Sequence, residues 1–499
     1  MTRARSTSSL AAASTRWTVA STSTRRRTAA LRSSSTAPAI HRNRAGVSVA
    51  TGMGAVAEGG AGPLPAGPRV GQDARRTGAF LPGGRHREGG CVSAGDQGML
   101  RDAFYRDPYP HYARARRADG LTWIPEAEAW LVARDGDVRE VLRRAEDFSS
   151  ANALLPDVPV SEAALVVLAR GFGPRPTVVS SDGAAHRRYR TPLNQGLNPG
   201  RVEAVLPYAR EQARELVDAF ASDGSAELVG AYARRLPGVV IGRLIGLDPA
   251  DVPTAVHGGY RAEELLFRPL SPSGQAAAAE DVVALQVLLD GYVRDRRARP
   301  REDLCSDLVA ALAPGEGELT LEQRHELVAN LQNLLIAGFL TTSALISTAL
   351  LHLLGDREQW SLLCADPLLA EAAVEECARF DTAIQAFRRV TTRPVTLAGT
   401  RLPAGAAVLV AYASANRDEQ RHADADRFDI RRPVDRRHLA FGHGPHTCPG
   451  ARLARAQLRV TLELFARLLP DLRLDGRRPP PSMRPTLIHR SPQTLYATW

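Results

Sequence analysis

The sequence predicts a mainly α-helical fold with small β-sheets. Three observations lead there. Thr320 and Gln323 make a capping-box pattern that opens a long helix, with Leu327, Leu331, Leu334 and Leu335 recurring at helical spacing. Helical patterns dominate from the end of a proline-rich stretch to Phe380. Strand signals are confined to two short regions, one near residue 125 and one near residue 400.

In chain order, Asp107-Pro108-Tyr109-Pro110 punctuates the chain before a first helix. Leu121 to Val132 alternates and contains Pro125, which suggests a hairpin at a sheet edge. Asp135 to Arg144 reads as a helix. From Ser150 to Thr177 the prolines 156, 159, 174 and 176 loosen the pattern, so a loop is expected. Val252 to Gln275 reads as irregular. Gly338 sits inside the long helix, where glycine costs about 1 kcal/mol relative to alanine, so a packing or functional reason is expected. Between Phe387 and Val410, β-branched runs split by Gly399 and Pro403-Ala404-Gly405 give a strand-turn-strand signal. Gly450 to Leu469 reads as an amphipathic helix.

Composition separates residues 1–98 from the rest. That segment is rich in Ser, Thr, Ala, Gly and Arg, and carries 14 arginines against 4 acidic residues. Its net charge of +10 equals that of the whole 499-residue chain, so residues 99–499 are neutral overall and need no nucleic-acid partner. Disorder is expected there. Its arginines and serines resemble a transit peptide, but a mis-called start is favoured, with Met99 as the true beginning. The chain contains no lysine, which excludes a Walker A loop and a pyridoxal phosphate Schiff base. Arginine codons are GC-rich, so a high-GC bacterial source is inferred. Cysteines 91, 305, 364, 377 and 448 are odd in number and scattered, which argues against a disulfide framework and for a reducing cytosol. No uninterrupted apolar run reaches the roughly 18 residues that span a bilayer, and no membrane association is expected.

The chemistry concentrates at Phe441-Gly442-His443-Gly444-Pro445-His446-Thr447-Cys448-Pro449-Gly450. This loop puts one thiol at a helix N-terminus, where unpaired amides and the helix dipole favour a thiolate. Such a thiolate is a good axial ligand for haem iron. An ordinary buried cysteine is the alternative; a zinc site from His443, His446 and Cys448 fits no common finger spacing. Glu376 and Arg379 are i and i+3, so a helix would pair them. His186 and Arg190, in Asp182 to Arg190, are i and i+4 and can clamp an anion from one face.

Taken together, these segments resemble the cytochrome P-450 family of haem-thiolate monooxygenases. The resemblance covers residue 99 to the end and implies a single P-450 domain with a long central helix over haem b. It implies that Cys448 ligates the iron and that His186, Arg190, Arg389 and His446 hold the haem propionates. Ala337 and Gly338 would leave room on the haem face for dioxygen. Thr341, with Thr342, would support oxygen activation. Glu376, Arg379 and Arg427 would form a buried charge trio that holds the thiolate loop. Ala425 stands where the family often has proline. Residues 252–275 match a mobile lid, and residues 150–177 the loop over the substrate. Leu154, Leu155, Ala337, Phe339, Ile384, Gln385, Leu487 and Ile488 would lie near the open haem face, so a lipophilic substrate of moderate size is expected, free or carrier-bound.

One position departs from the family. Leu340 replaces the acid before Thr341 and cannot shuttle protons. The implied function is insertion of one oxygen atom from dioxygen into a lipophilic secondary-metabolite intermediate. The alternatives are peroxide use, coupling or rearrangement, or a non-catalytic partner-binding module. Electrons would come from NAD(P)H through ferredoxin reductase and a ferredoxin, with Arg436, Arg437, Arg452 and Arg455 as a basic docking patch. A cytoplasmic monomer is expected.

Overall fold

The capping box does what its pattern requires. In a computed structural model, which describes residues 102–499, Thr320 Oγ1 accepts the Gln323 N–H and the Gln323 side chain accepts the Thr320 N–H. The helix that follows runs Leu321–Gly355, 35 residues. Its length and composition would suffice to cross a bilayer, yet 67% of its most apolar window is buried inside the fold. Helices Leu236–Ile245, Val252–Phe267, Pro272–Ala298, Leu304–Leu312, Ala370–Phe380 and Ala451–Leu468 pack against it. Their apolar faces join in one large core.

A mixed five-stranded sheet carries a second core. Its strands lie in the order Thr122–Ile124, Ala129–Val132, Ala407–Val410, Phe387–Thr391, Phe148–Ser149. The first two form the expected edge hairpin across Pro125–Ala127. Ala129–Val132 pairs parallel with Ala407–Val410, and the remaining pairs are antiparallel. Between Phe387–Thr391 and Ala407–Val410 the chain also makes a separate hairpin, Val395–Leu397 with Thr400–Leu402, where one strand-turn-strand was expected. Ala398 and Gly399 take positive φ at its tip.

One region expected to be irregular is largely helical, while residues 150–177 are mostly loop apart from one short helix. Residues 252–275 hold the Val252–Phe267 helix and the start of Pro272–Ala298. Pro253 sits in the first turn, where its missing N–H costs nothing, and Ser271 caps the second helix by accepting the Gly274 N–H. Within 150–177, Ser161 caps a short helix, Glu162–Leu168, which packs on Pro272–Ala298. The expectations for residues 1–98, Met99 and Cys91 lie outside the described residues.

One buried carboxylate anchors the C-terminal turn to this frame. Asp381 accepts from the Tyr109 hydroxyl at 2.8 Å, from Arg490 Nε at 2.7 Å, and pairs with His352 Nε2 at 2.9 Å. The three partners come from the first helix, the C-terminal turn and the end of the central helix.

Candidate active site

The Cys448 loop is shaped by two glycines that no other residue replaces at low cost. Gly442 and Gly444 both take φ of 71°, a region where L-residues are strained. A Cβ on Gly444 would also stand 2.4 Å from the Leu142 carbonyl oxygen, so the loop packs directly on the end of the Asp135–Arg143 helix. The Cys448 N–H donates to the Phe441 carbonyl at 2.8 Å and the Thr447 N–H to the Gly444 carbonyl at 3.0 Å. The loop then enters the Ala451–Leu468 helix through Gly450.

Both flanks of the loop are held by Glu375, a residue the sequence did not single out. His438 Nε2 meets its Oε2 at 2.9 Å, just before the loop. Arg455 donates to Oε1 at 2.6 Å and Oε2 at 2.9 Å, just after it. Burial raises the Glu375 pKa, but the bonds from His438 and Arg455 outweigh burial and hold it at about 2. The clue in the sequence was the acidic pair Glu375-Glu376, whose members lie on different faces.

Arg455 is therefore committed and contributes nothing free to a docking patch. Arg436 pairs with Glu371 at 2.5 Å, Arg437 with Asp435 at 2.8 Å, and Arg452 lies 3.9 Å from Glu203. The four arginines proposed as a ferredoxin surface are each beside a carboxylate.

The buried pair forms as expected, with a different third member. Arg379 Nε and Nη2 donate to Glu376 at 2.8 Å each. Asp429 N–H adds a bond at 2.9 Å, and the third cation is Arg432, whose Nε donates to Glu376 at 3.1 Å. The expectation of Arg427 is corrected. Its side chain is 61% exposed and faces Asp429 at 3.8 Å, while its backbone carbonyl accepts from Arg379 and Arg432. The 423–427 backbone curls so that its carbonyls surround Arg432. Ala425, where the family often has proline, gives its carbonyl to Arg379 at 2.7 Å.

Near the loop, four predicted anion-binding residues converge. The His186 and His446 rings are 4.2 Å apart. Arg190 donates to the Pro445 carbonyl at 3.3 Å. Arg389 is buried, donates to the Arg388 carbonyl at 2.8 Å, and lies in electrostatic reach of His446. Burial, then Arg389 and His186, push His446 down to about 3, so its ring is neutral; its Nε2 meets Ser150 Oγ at 3.1 Å. His186 Nε2 is buried without a hydrogen-bond partner. An orphaned donor or acceptor beside two arginines fits a carboxylate-bearing group such as haem.

The thiol itself is not ionised by the loop alone. Burial raises the Cys448 pKa, while the Gly450 N–H, Arg190 and Arg455 pull it down without winning. A metal cation on the sulfur would remove the proton outright. Among the described residues, no group of three or more His, Cys, Asp or Glu side chains is arranged to hold a free metal ion.

The central helix turns an open face at mid-length. Ala337 is exposed and Thr341, four residues on, is partly exposed, although Leu334, Leu335 and Thr342 beside them are buried. Thr341 Oγ1 donates to the Ala337 carbonyl at 3.2 Å. Two expectations on this helix are corrected. Gly338 does not face that opening: a Cβ there would stand 2.4 Å from Ile241 Cγ1 on the neighbouring helix. Phe339 is fully buried on the far side, its ring 4.8 Å from Tyr260. Thr342 is buried and reaches only the Gly338 carbonyl, at 3.5 Å.

The remaining pocket residues divide. Leu154, Ile384, Leu487 and Ile488 join one apolar cluster with Phe267, and Ile384 bridges to His489. Gln385 is buried, and its amide donates to the Thr382 carbonyl at 2.7 Å. Leu155 is 58% exposed, but its carbonyl accepts from Arg388 at 3.1 Å.

Comparison with known proteins bears on these features. The chain is 36% identical over 390 residues to "Cytochrome P450 monooxygenase PikC" of Streptomyces venezuelae, covering 76% of this chain and 88% of that protein. This chain belongs to the cytochrome P450 family. The cytochrome P450 family profile matches residues 365–497, which include the Glu376 pair and the Cys448 loop. "Mycinamicin IV hydroxylase/epoxidase" of Micromonospora griseorubida is 33% identical, over 74% of this chain and 90% of its own. Among solved structures, cytochrome P450 CREJ in complex with (4-ethylphenyl) dihydrogen phosphate matches with a TM-score of 0.74 and 30% identity, over 79% of this chain and 98% of its own. The protein is thus an oxidoreductase of the P450 monooxygenase family, and membership implies haem.

Proposed function

We propose that this P450 inserts one oxygen atom from dioxygen into a lipophilic secondary-metabolite intermediate, with Cys448 as the axial ligand of haem iron. The observation that carries this is the Cys448 loop, clamped at both flanks by Glu375 and set beside the His186–His446 pair. Haem, when bound, supplies the iron that activates dioxygen. His186, Arg190, Arg389 and His446 bind its two carboxylates and fix its orientation. Leu154 and Ile384, backed by the buried Leu487 and Ile488, offer an apolar wall that excludes water. Thr341 presents its hydroxyl on the open face, and a proton moves through Oγ1 once that hydroxyl turns from the Ala337 carbonyl. Electrons arrive from NAD(P)H through a reductase and a ferredoxin in the cytoplasm, to a monomeric enzyme. Arg143, exposed beside His443, and Arg187, exposed on the His186 helix, are better docking cations than the paired arginines.

The test is the carbon-monoxide difference spectrum of the reduced protein. The wild type is expected to give the shifted haem-thiolate band and Cys448→Ala to lose it; a variant that kept the band would sink the assignment. Leu340 favours a second reaction mode. With no carboxylate before Thr341, peroxide can replace dioxygen and reductant, because it brings its own protons and electrons. Turnover with peroxide that exceeds turnover with ferredoxin, reductase and NADPH would establish that mode.

A further inference from the structure

Beside the apolar cluster of Ile384, Leu487 and Ile488 lies a group of arginines that the fold neutralises only in part. Glu263 and Arg268 come from the end of the Val252–Phe267 helix, Arg484 and His489 from the C-terminal turn, and Arg234 from the turn before Leu236. Tyr260 roofs the cluster, its ring tilted against Phe339 at 4.8 Å with the Arg234 guanidinium 3.8 Å over it. His489 bridges to Ile384 and its ring lies 5.5 Å from Phe267, so the arginines adjoin the apolar cluster that holds both residues. The 150–157 segment straps across it, with the Asp157 N–H on the Leu266 carbonyl at 2.7 Å.

The contacts in this cluster are too long to be a finished ion network. Glu263 is buried, yet its oxygens lie 3.6 Å from Arg268 Nε and 3.7 Å from His489 Nδ1. Those separations exceed a hydrogen bond. The buried Glu376 in the same molecule shows what completion looks like, with partners at 2.8 to 3.1 Å. Around Glu263, the Tyr260 hydroxyl, Glu263 Oε2, Arg268 Nη2 and His489 Nδ1 are all buried without a hydrogen-bond partner. Arg268 has one close carboxylate, Glu264 at 3.1 Å, which Arg261 also uses. Arg234 and Arg484 have no carboxylate within ion-pair distance among the described residues. Burial, then the like charges of Arg234 and Arg268, depress the Arg484 pKa, with Glu263 opposing. Arg234 and Arg484 are half-buried, and partly desolvated cations without a close counter-charge are costly, a cost that an anionic partner offsets.

We propose that Arg234, Arg268 and Arg484 bind the anionic head group, carboxylate or phosphate, of an otherwise apolar substrate. The inference rests on the monooxygenase assignment for what happens at the other end of that substrate. Glu263 and His489 hold the arginines apart, and the Tyr260 hydroxyl supplies a neutral donor. The apolar body of the ligand lies along Leu154 and Ile384, with Leu487 and Ile488 packed behind them.

The test uses the full-length haem-loaded protein and three chain-matched probes: dodecanoate, dodecyl phosphate and dodecanol. Binding is read by calorimetry and by the visible haem spectrum. At least one anion is expected to bind about tenfold or more tighter than the alcohol, as charge-assisted hydrogen bonds allow. The anion that wins distinguishes a carboxylate from a phosphate head. Arg484→Gln and Arg234→Gln should each remove about tenfold of that anion's affinity and leave dodecanol unchanged. Arg484→Lys keeps the charge and should recover part of the loss if folding is intact. Equal affinity for anion and alcohol, no heat with either anion, or a preference that survives both glutamine variants would overturn the proposal. The carbon-monoxide band reports separately on the haem-thiolate assignment. Loss of the band with a retained anion preference sinks that assignment alone, and a normal band without the preference sinks only this one.

Discussion

Arg427 and Arg432 show how one residue's duty is decided by backbone shape. They lie 48 and 53 residues downstream of Arg379, and the family resemblance selects the wrong one. Arg432 turns inward because the carbonyls of Ala423, Asp424 and Arg427 give its guanidinium a ring of acceptors beside Glu376. Arg432→Ala is expected to destabilise the protein by about 1.5–3 kcal/mol, the worth of hydrogen bonds to a charged group. Arg427→Ala should stay within about 0.5 kcal/mol, as exposed substitutions do. Denaturant melts of the two variants check this, and equal losses would restore Arg427 to the trio. Gly444→Ala carries a second residue-scale expectation. It combines a left-handed φ with a 2.4 Å approach to Leu142, so about 1–3 kcal/mol and a fall in haem content are expected. The thiol and its glycines were legible because a fixed string encodes them. Glu375 was not, because its partners His438 and Arg455 are 63 and 80 residues away.

Among the elements, the central helix was the most legible, since its cap and leucine spacing are local signals. What was not legible was which of its faces meets which neighbour. Gly338 looked like space for a ligand, and the structure shows that it makes room for Ile241. Gly338→Ala should therefore lower stability by about 1–3 kcal/mol through overpacking, despite alanine's better helix propensity. Pairing it with Ile241→Ala should return a favourable coupling in a double-mutant cycle. Unchanged stability with blocked substrate binding would return Gly338 to the open face. The Val252–Phe267 helix was missed for a related reason. It contains a Gly258-Gly259 pair, which alone disfavours helix, but Gly258 admits Leu285 and Gly259 admits Phe339 of packed neighbours. Tertiary contact overrode local propensity there.

For the whole molecule, charge was read correctly in sum and not in arrangement. The surplus of arginine lies in residues 1–98, and a chain beginning at Met99 is expected to keep the carbon-monoxide band while losing affinity for cation-exchange resin. A truncated protein that cannot retain haem would overturn this. Acid sensitivity follows from Glu375. Its folded pKa of about 2 lies below the ordinary 4.5, so its stabilisation is complete above pH 4.5 and is lost as pH falls toward 2. The loss is at most about 3 kcal/mol. Glu375→Gln should flatten the acid limb of the stability profile in that interval, and an unchanged limb would place the acid response elsewhere.

The same carboxylate couples two things usually considered apart. Chain arriving at the sulfur and chain leaving it are moored to a single post, so protonating that post slackens both moorings together. Acid approaching pH 2 should then strip the pigment from an otherwise helical body, giving a colourless protein that regains its colour when neutralised with fresh haem.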